Sequence, residues 1–301
     1  AARLYSYLDD TYLVVEAGLS PATLTALETA LEPYGLELNH AKTAVWSPSG
    51  GAVVPPALQP HYVAVLPVLG KHLRPRGDTE DNPAALGARA NSLDKATLRL
   101  QKLWDTLYRL HQAGLAKQAT GALLLTYASA ANQHALRQEL ASEEATQRYD
   151  ARLTRCWETL LRRDLGGEAR ELLSLPKRLG GLGGQLACSR RNAAYLASWS
   201  GAAEEVVRDL GCSSLHDALE RLPAAARKLE EARQGLAGQG LLLADGGTLA
   251  DSLARELKQG LAMEKVQKTH HAALLQRLPL LQQATLRLSL IHISEPTRLN
   301  P

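Results

Sequence analysis

Two kinds of hydrophobic pattern divide the chain. Near its start, two short segments rich in Tyr, Val and Leu, Leu4–Leu8 and Thr11–Glu16, flank a pair of aspartates and predict two β-strands joined by a turn. From about residue 84 onward, apolar residues recur every three or four positions, which is the period of amphipathic helices. The pattern therefore predicts an α+β protein that is mostly α.

Between these regions the pattern predicts one helix and two more strands. Ser20 and Pro21 are favourable residues for a helix start, and leucines at helical spacing follow them. Leu36–Leu38 and Ala44–Trp46 are predicted to be short strands on either side of a turn. The Pro- and Gly-containing stretch 74–83 is predicted to be a linker.

The second part of the chain predicts a succession of helices with one glycine-rich interruption. The stretch Leu175–Gly184 lacks the residue order of a phosphate-binding loop, so a backbone hinge is the better interpretation of its glycines. The predicted helices are Leu86–Ala113, Leu115–Leu140, Ser142 to about Leu165, Ser189–Ser200, Gly201–Leu210, Ser214–Leu222, Pro223–Leu236 and, after a break near Gly238–Gly247, Leu249 to about Arg287.

Composition narrows the protein class. The chain has 301 residues, of which 45% are hydrophobic and 22% charged, and these values are typical of a globular protein. No apolar run is long enough to span a membrane and no secretory signal is present, so we expect an intracellular protein, nuclear or cytoplasmic, that is not secreted. The three cysteines are far apart in sequence, which argues against a disulfide framework or a zinc site.

Charge is unevenly distributed although the net charge is only +3. Residues 1–83 carry 5 basic and 9 acidic side chains, and residues 84–200 carry 17 basic and 10 acidic ones. An acidic segment next to a basic one is consistent with a metal site beside a surface that binds a polyanion. The same imbalance also occurs in ordinary helical domains.

The predicted turn between the first two strands carries Asp9 and Asp10. Two adjacent carboxylates repel each other unless a cation lies between them, and carboxylate oxygen is a preferred ligand of Mg²⁺. A solvent-exposed acidic turn is the simpler interpretation of the two aspartates alone, and the sequence that follows favours the metal site.

Two motifs in this order resemble the reverse transcriptases of non-LTR retroelements. Tyr7-Leu8-Asp9-Asp10 resembles their catalytic Tyr-x-Asp-Asp hairpin, motif C, and Gly35–Thr43 resembles the Gly-Leu, Asn and Lys-Thr segment that follows it. Val65–Gly70 is similar to the primer grip, and Leu175–Gly184 is similar to an element after the thumb of these enzymes.

The resemblance implies a partial polymerase palm in residues 1–83, a helical thumb in 84–165 and a helical C-terminal extension in 166–287. It implies RNA-directed DNA synthesis by two-metal nucleotidyl transfer, with an RNA template, a DNA primer, dNTPs and two Mg²⁺ ions. Asp9 would be a principal metal ligand, Asp10 a secondary one, and Lys42 would lie near the triphosphate. Charge and position in the implied thumb select the candidate phosphate contacts Lys95, Lys102, Lys117, Arg152, Arg155, Arg162 and Arg163, and Tyr7 of the hairpin is a further candidate nucleic-acid contact.

We expect this chain to be a fragment that cannot polymerise by itself. The family requires another metal-binding aspartate and a fingers region upstream of motif C, and two carboxylates alone bind Mg²⁺ poorly. At the other end, Leu288–Arg298 resembles the conceptual translation of a sequencing-library adapter. We therefore expect residues 288–301 to be foreign and the native sequence to end near Arg287.

Two alternatives remain open. The chain could be a non-catalytic helical module that binds nucleic acid or protein, derived from a decayed retroelement with an inert Asp-Asp turn. It could also derive from an RNA-templated RNA polymerase or a group II intron enzyme, which share the Asp-Asp hairpin. Lys42-Thr43 and the Gly-Gly-Leu-Gly element favour the retroelement.

Overall fold

A computed structural model describes residues 2–7, 10–15, 20–64, 66–68, 71–73, 92–241, 248–254, 257–279 and 283. The chain divides into two compact units, residues 1–90 and 91–301. Each unit is described separately below.

The first unit contains the predicted hairpin and the predicted helix. Strand β1 (Ala2–Tyr7) pairs antiparallel with β2 (Asp10–Val15), in a register that runs from Ala2 opposite Val15 to Tyr7 opposite Asp10. Helix α1 (Pro21–Leu31) begins after Ser20, whose hydroxyl and backbone N–H both contact the Thr23 hydroxyl. The strand and helix predictions for this region are confirmed.

The two further strands predicted after α1 are wrong. Leu36–Leu38 is irregular, and Leu36 is 57% exposed. This alternating segment therefore does not pack its leucines against a core as a strand would. Ala44–Trp46 forms only one parallel bridge, between Val45 and Tyr62, because the chain around Tyr62 does not continue as a strand.

The rest of this unit consists of short elements. Three 3₁₀ turns cover Glu32–Tyr34, Gly51–Val53 and Pro56–His61, and strands β3 (Leu66–Val68) and β4 (Lys71–Leu73) form a second small antiparallel pair. Strand β3 lies inside the segment compared with a primer grip, whose remaining residues 65, 69 and 70 lie outside the described residues, as does the predicted linker 74–83.

The second unit is helical wherever the structure describes regular elements. Its helices are α2 (Ser92–Gln112), α3 (Lys117–Gln138), α4 (Glu143–Leu161), α5 (Gly167–Ser174), α6 (Ala187–Leu210), α7 (Leu215–Arg221), α8 (Pro223–Gly238), α9 (Leu249–Ala254) and α10 (Gln259–Arg277). The mostly helical prediction is confirmed. The palm, thumb and extension boundaries stay predictions.

The described helices differ from the predicted ones in several details. The single helix predicted from Leu249 to about Arg287 is wrong: α9 ends at Ala254, Leu257 and Lys258 are not helical, and α10 ends at Arg277, because Leu278 precedes Pro279 and is extended. Helix α4 ends at Leu161, four residues early, because Arg162 adopts a left-handed conformation. Helix α6 is continuous across the predicted break at Ser200, and α5 was not predicted at all because its glycine start disfavours a helix.

Helices α2, α3, α4 and α6 form a bundle around one core. Ser92 at the start of α2 bonds to Gln138 and Glu139 at the end of α3, so these two helices are antiparallel. The buried residues of this core include Leu93, Leu100, Trp104, Leu107, Leu124, Leu136, Tyr149, Leu153, Trp157 and Leu160.

A second core lies on the other side of α6 and includes residues of α7–α10. Its members include Tyr195, Leu196, Leu229, Leu236, Leu253, Met263 and Val266. Among the described helices, none is both long enough and apolar enough to cross a membrane.

Candidate nucleic-acid interface

The hairpin brings the backbone of Tyr7 and Asp10 opposite each other at its closed end. Asp9 lies outside the described residues, as do the side chains of Tyr7 and Asp10. The described residues, a set that does not include Asp9, contain no cluster of three His, Cys, Asp or Glu side chains suited to a metal. The predicted metal ligands therefore stay a prediction.

Lys42 lies in an exposed turn that Asn39 organises. The backbone N–H of Lys42 donates to the Asn39 carbonyl at 3.0 Å and to its side-chain oxygen at 3.3 Å, and the Thr43 hydroxyl donates to the same carbonyl at 2.9 Å. His40 contacts Glu28 of α1 at 2.7 Å. Asn39 and Thr43 thus have local structural roles, and the Lys42 side chain is left exposed to solvent.

Helix α2 carries a stripe of basic side chains. Successive steps of four, three and seven residues place them on one side of the helix, away from its buried leucines and Trp104. The stripe consists of Lys95, Arg99, Lys102 and Arg109. Only Lys95 and Lys102 of this stripe were predicted from the sequence.

Helix α4 carries a second stripe with the same initial spacing. Arg148, Arg152 and Arg155 follow one another by four and three residues, and Arg152 is half-buried whereas the other two are exposed. Sequence reasoning missed Arg148, as it missed Arg99 and Arg109. A spacing of three, four or seven residues from a predicted member was the signal that could have identified all three.

The two stripes belong to neighbouring parallel helices. Asp94 in the first turn of α2 contacts Arg148 near the start of α4 at 2.9 Å, so both helices begin at the same end of the bundle. Burial raises the pKa of the Cys156 thiol of α4, and two nearby charges also affect it: Arg152 of α4 lowers this pKa and Asp105 of α2 raises it. Asp105 and Arg152 therefore both lie near this thiol, between the two helices. We call Lys95, Arg99, Lys102, Arg109, Arg148, Arg152 and Arg155 the basic face.

Most cations of the basic face are not neutralised by the fold. Within the described part of the chain, Arg99, Lys102, Arg152 and Arg155 have no carboxylate in ion-pair contact. Three cations on α10 and in the loop between α5 and α6 are paired instead: Arg178 and Lys268 with Glu264 at 3.1 Å each, and Arg277 with Glu171. Unpaired charges of one sign on adjacent helices can accept a polyanion without first losing internal partners.

The three remaining predicted contacts lie at the opposite end of the same bundle. Lys117 is the first residue of α3, which is antiparallel to α2, and Arg162 and Arg163 directly follow α4. All three side chains are exposed. The structure thus distributes the predicted basic residues between the basic face and one end of the bundle.

The glycine-rich element is a packed loop. The N–H groups of Leu182, Gly183 and Gly184 donate to carbonyls of Leu172, Leu175 and Leu173, at 3.2, 2.8 and 2.7 Å respectively. A Cβ on Gly181 would overlap the Leu175 carbonyl oxygen, and one on Gly184 would lie 2.8 Å from that of Leu173. These glycines allow close backbone approach, and their N–H groups are used internally. The hinge interpretation stays a prediction.

A partly buried polar cluster fixes the start of α6. The Asp150 carboxylate accepts from the Ala187 N–H at 2.6 Å and from the Cys188 N–H at 2.9 Å, so it caps the helix from α4. The Cys188 thiol donates to the Thr146 hydroxyl at 3.2 Å.

The same cluster continues to α3 through Arg190. Its guanidinium donates to the side-chain oxygens of Asn132, at 3.2 Å, and Gln133, and the Asn132 amide donates to the Gln185 carbonyl at 3.0 Å. We call Asn132, Gln133, Asp150 and Arg190 the α6 junction. Its members were not among the predicted site residues.

Burial sets the electrostatics of the junction. It raises the pKa of Asp150, although the N–H groups of Cys188 and Ala187 oppose this, and it lowers the pKa of Arg190 to about 10. The pKa of Tyr149, whose hydroxyl donates to the Ala128 carbonyl at 2.7 Å, is also raised by burial. Because these groups are hydrogen-bonded to the fold, the junction is best explained as structural.

Comparisons of the chain with protein-family profiles, curated protein sequences and solved structures find no match.

Proposed function

We propose that the chain carries the motif C hairpin and the thumb of a non-LTR retroelement reverse transcriptase, and that its helical unit binds a template–primer duplex. The observation that carries the proposal is the basic face: seven Lys and Arg side chains on two adjacent parallel helices, most of them without an internal partner. Phosphate contacts of this kind dominate the affinity of proteins for nucleic acids.

The proposed catalytic residues are those of the hairpin and of the turn after α1. Asp9 and Asp10 would hold Mg²⁺, since adjacent carboxylates supply the oxygen ligands that this ion prefers. When bound, the metal would supply charge stabilisation to the transferring phosphoryl group. Lys42, whose turn leaves its ammonium exposed, would neutralise charge on the pyrophosphate.

Duplex binding by the full chain tests the proposal. The variant K102Q/R152Q/R155Q removes three cations of the basic face, and R178Q/K268Q/R277Q removes three cations that are paired with carboxylates. For a labelled RNA–DNA duplex, we expect the first variant to raise the Kd about 100-fold near 0.1 M salt and to reduce the salt-dependence slope by about three. The control should stay within about threefold of wild type.

Equal effects of the two triple variants would contradict the proposal, because binding would then depend only on net charge. Fluorescence anisotropy across about 50–200 mM salt measures both quantities. Circular dichroism of each variant verifies that the helices remain folded.

The second candidate is a non-catalytic helical module that binds nucleic acid. It is favoured by the fact that every residue of the basic face belongs to the unit 91–301 and none to the hairpin. Mn²⁺ binding, followed by electron paramagnetic resonance, separates the two candidates. The polymerase proposal expects the wild-type chain to bind Mn²⁺ weakly and D9N/D10N to lose that binding, whereas an inert turn predicts no difference between the two proteins.

A further inference from the structure

Helix α3 exposes a face that carries no charge. Its residues 118–136 include no Asp, Glu, Lys or Arg, over about 28 Å of helix. Leu123 is 37% exposed, Tyr127 is 56% exposed, and Ala122, Thr126 and Ala130 beside them are exposed as well. The Thr126 hydroxyl donates to the Ala122 carbonyl at 2.9 Å, so it is satisfied within the helix. We call these five exposed residues the neutral face.

A groove runs along one edge of the neutral face. Its volume is about 370 Å³, and its walls are α3, the loop between α5 and α6, and α10. Among the described residues that line it, Lys177 alone is charged, and the apolar ones include Leu125, Pro176 and Leu182. The groove therefore suits an aromatic ring whose polar tip reaches Lys177.

Helical spacing fixes the positions of the groove and of Tyr127 around α3. At about 100° per residue, Tyr127 lies about 100° or more from each α3 residue that lines the groove, and Ala130 lies near the middle of the exposed arc. Along the helix axis, Tyr127 lies between Ala122 and Ser129, which both line the groove. A twofold axis parallel to α3 therefore places each Tyr127 opposite the groove of a second copy.

We infer that the neutral face binds the neutral face of a second copy of this chain, about a twofold axis parallel to α3. A twofold interface brings identical residues together, so charges on it would repel each other. The neutral face is free of that repulsion, and it offers no cation to a phosphate backbone and no charge to a charged peptide. In the pair, each Tyr127 ring enters the groove of the other copy, and its hydroxyl accepts from Lys177 there.

The expected dimer is weak. A face about 28 Å long and roughly 10 Å wide is much smaller than the roughly 800 Å² per partner of a standard interface. Two Tyr127 side chains, one in each groove, should supply much of the affinity, since buried aromatic residues dominate the binding energy of many interfaces. We expect a Kd on the order of 50 μM.

Sedimentation velocity of the full chain tests the inference. Between about 1 and 200 μM protein, the wild-type chain should change from monomer to mostly dimer. A130K and A130E each place two like charges near the twofold axis, so each should raise the dimer Kd at least about tenfold. Ala130 is exposed, and Lys and Glu are good helix formers, so both variants should keep the helix content of wild type by circular dichroism.

A mixture of the two variants makes the test specific to a second copy. Equimolar A130K and A130E should associate about as well as wild type, because opposite charges then meet across the axis. L98E is the matched control: it puts the same charge on α2, at a leucine that is 63% exposed and one turn from Asp94, on the side that meets α4. It should dimerise within about twofold of wild type.

Four outcomes would overturn the inference. They are a wild-type chain that stays monomeric at about 200 μM, an A130K or A130E chain that associates as wild type does, a mixture that associates no better than its components, and an equal loss of association in L98E. If A130E instead weakens duplex binding about as much as K102Q/R152Q/R155Q does, nucleic acid covers this face, and the inference fails while the proposed function stands.

Discussion

The basic face and the α6 junction both include residues of helix α4, but the charges of the first are mostly unpaired and those of the second are hydrogen-bonded within the fold. On one side of α4, Arg148, Arg152 and Arg155 belong to a surface whose charges are mostly unpaired. On another side, Asp150 is partly buried and its two carboxylate oxygens accept from two backbone N–H groups of α6.

The difference separates residues that hold the fold from residues that are available to a ligand. A buried polar group must be hydrogen-bonded, because leaving it without a partner costs about 1–3 kcal/mol. Exposed like charges repel one another slightly and gain little within the protein. Changes at the junction should therefore alter stability and spare binding, and changes at the basic face should do the reverse.

The largest expected effect is at the junction. Replacing Asp150 with Ala removes the acceptor of both the Ala187 and the Cys188 N–H groups, and we expect the free energy of unfolding to fall by about 3 kcal/mol. Asp150→Asn keeps one side-chain oxygen as an acceptor, so it should lower the free energy of unfolding by about half as much. Urea denaturation measures both changes, and the Kd of the folded fraction for a duplex should match that of wild type. A loss below about 0.5 kcal/mol in the Ala variant would show that the cap is dispensable.

The pH dependence of stability should also distinguish the two regions. The folded-state pKa of Asp150 is raised above its ordinary value of 3.8, so the folded chain holds this proton more tightly than the unfolded chain does. The proton-dependent part of Asp150's contribution is therefore complete below about pH 4 and is lost as the pH rises through the folded-state pKa, by about 1.4 kcal/mol per unit of pKa difference. The two hydrogen bonds that its oxygens accept are a separate contribution. Subtracting the profile of Asp150→Asn isolates this slope.

Asp150 is not part of the basic face, so duplex affinity should not follow the pH dependence of stability that Asp150 contributes. A difference profile between wild type and Asp150→Asn that is flat, or that rises with pH, would contradict the assignment.

The smallest expected effect is at the border of the basic face. Asp94→Asn removes the carboxylate that contacts Arg148, and because both side chains are partly exposed the loss of stability should be about 0.5 kcal/mol or less. The released cation should tighten duplex binding about twofold. Asp217→Asn, on the distant helix α7, is the matched control for charge and should leave the Kd unchanged. Weaker binding by the Asp94 variant would mean that the ion pair positions Arg148 for the ligand.

Local patterns predicted much of the fold. The hairpin and α1 follow from alternating strands and from a good helix start at Ser20-Pro21, and the long helices follow from their apolar period. Leu36–Leu38 has the alternation of a strand, but a strand also needs a partner, and pairing is not a local property. Helix α5 was missed because glycine at its start outweighed a short apolar pattern.

The functional surface was predicted only in part. Lys95, Lys102, Arg152 and Arg155 were selected by charge and position, and helical spacing extends the set to Arg99, Arg109 and Arg148. The α6 junction could not be predicted in the same way. Asp150 lies 37 residues from its partner Ala187, and Asn132 lies 58 residues from Arg190, so the sequence gives no local signal for either contact.

Helix α6 makes the two helical cores one cooperative unit. Ala187 and Ala194 belong to the first core, while Ala193, Tyr195 and Leu196 of the same helix belong to the second. Neither core can open without exposing apolar surface on a helix that the other core needs. Destabilising substitutions in α7–α10 should therefore also destabilise the bundle that carries the basic face, although no residue of those helices contributes a charge to it.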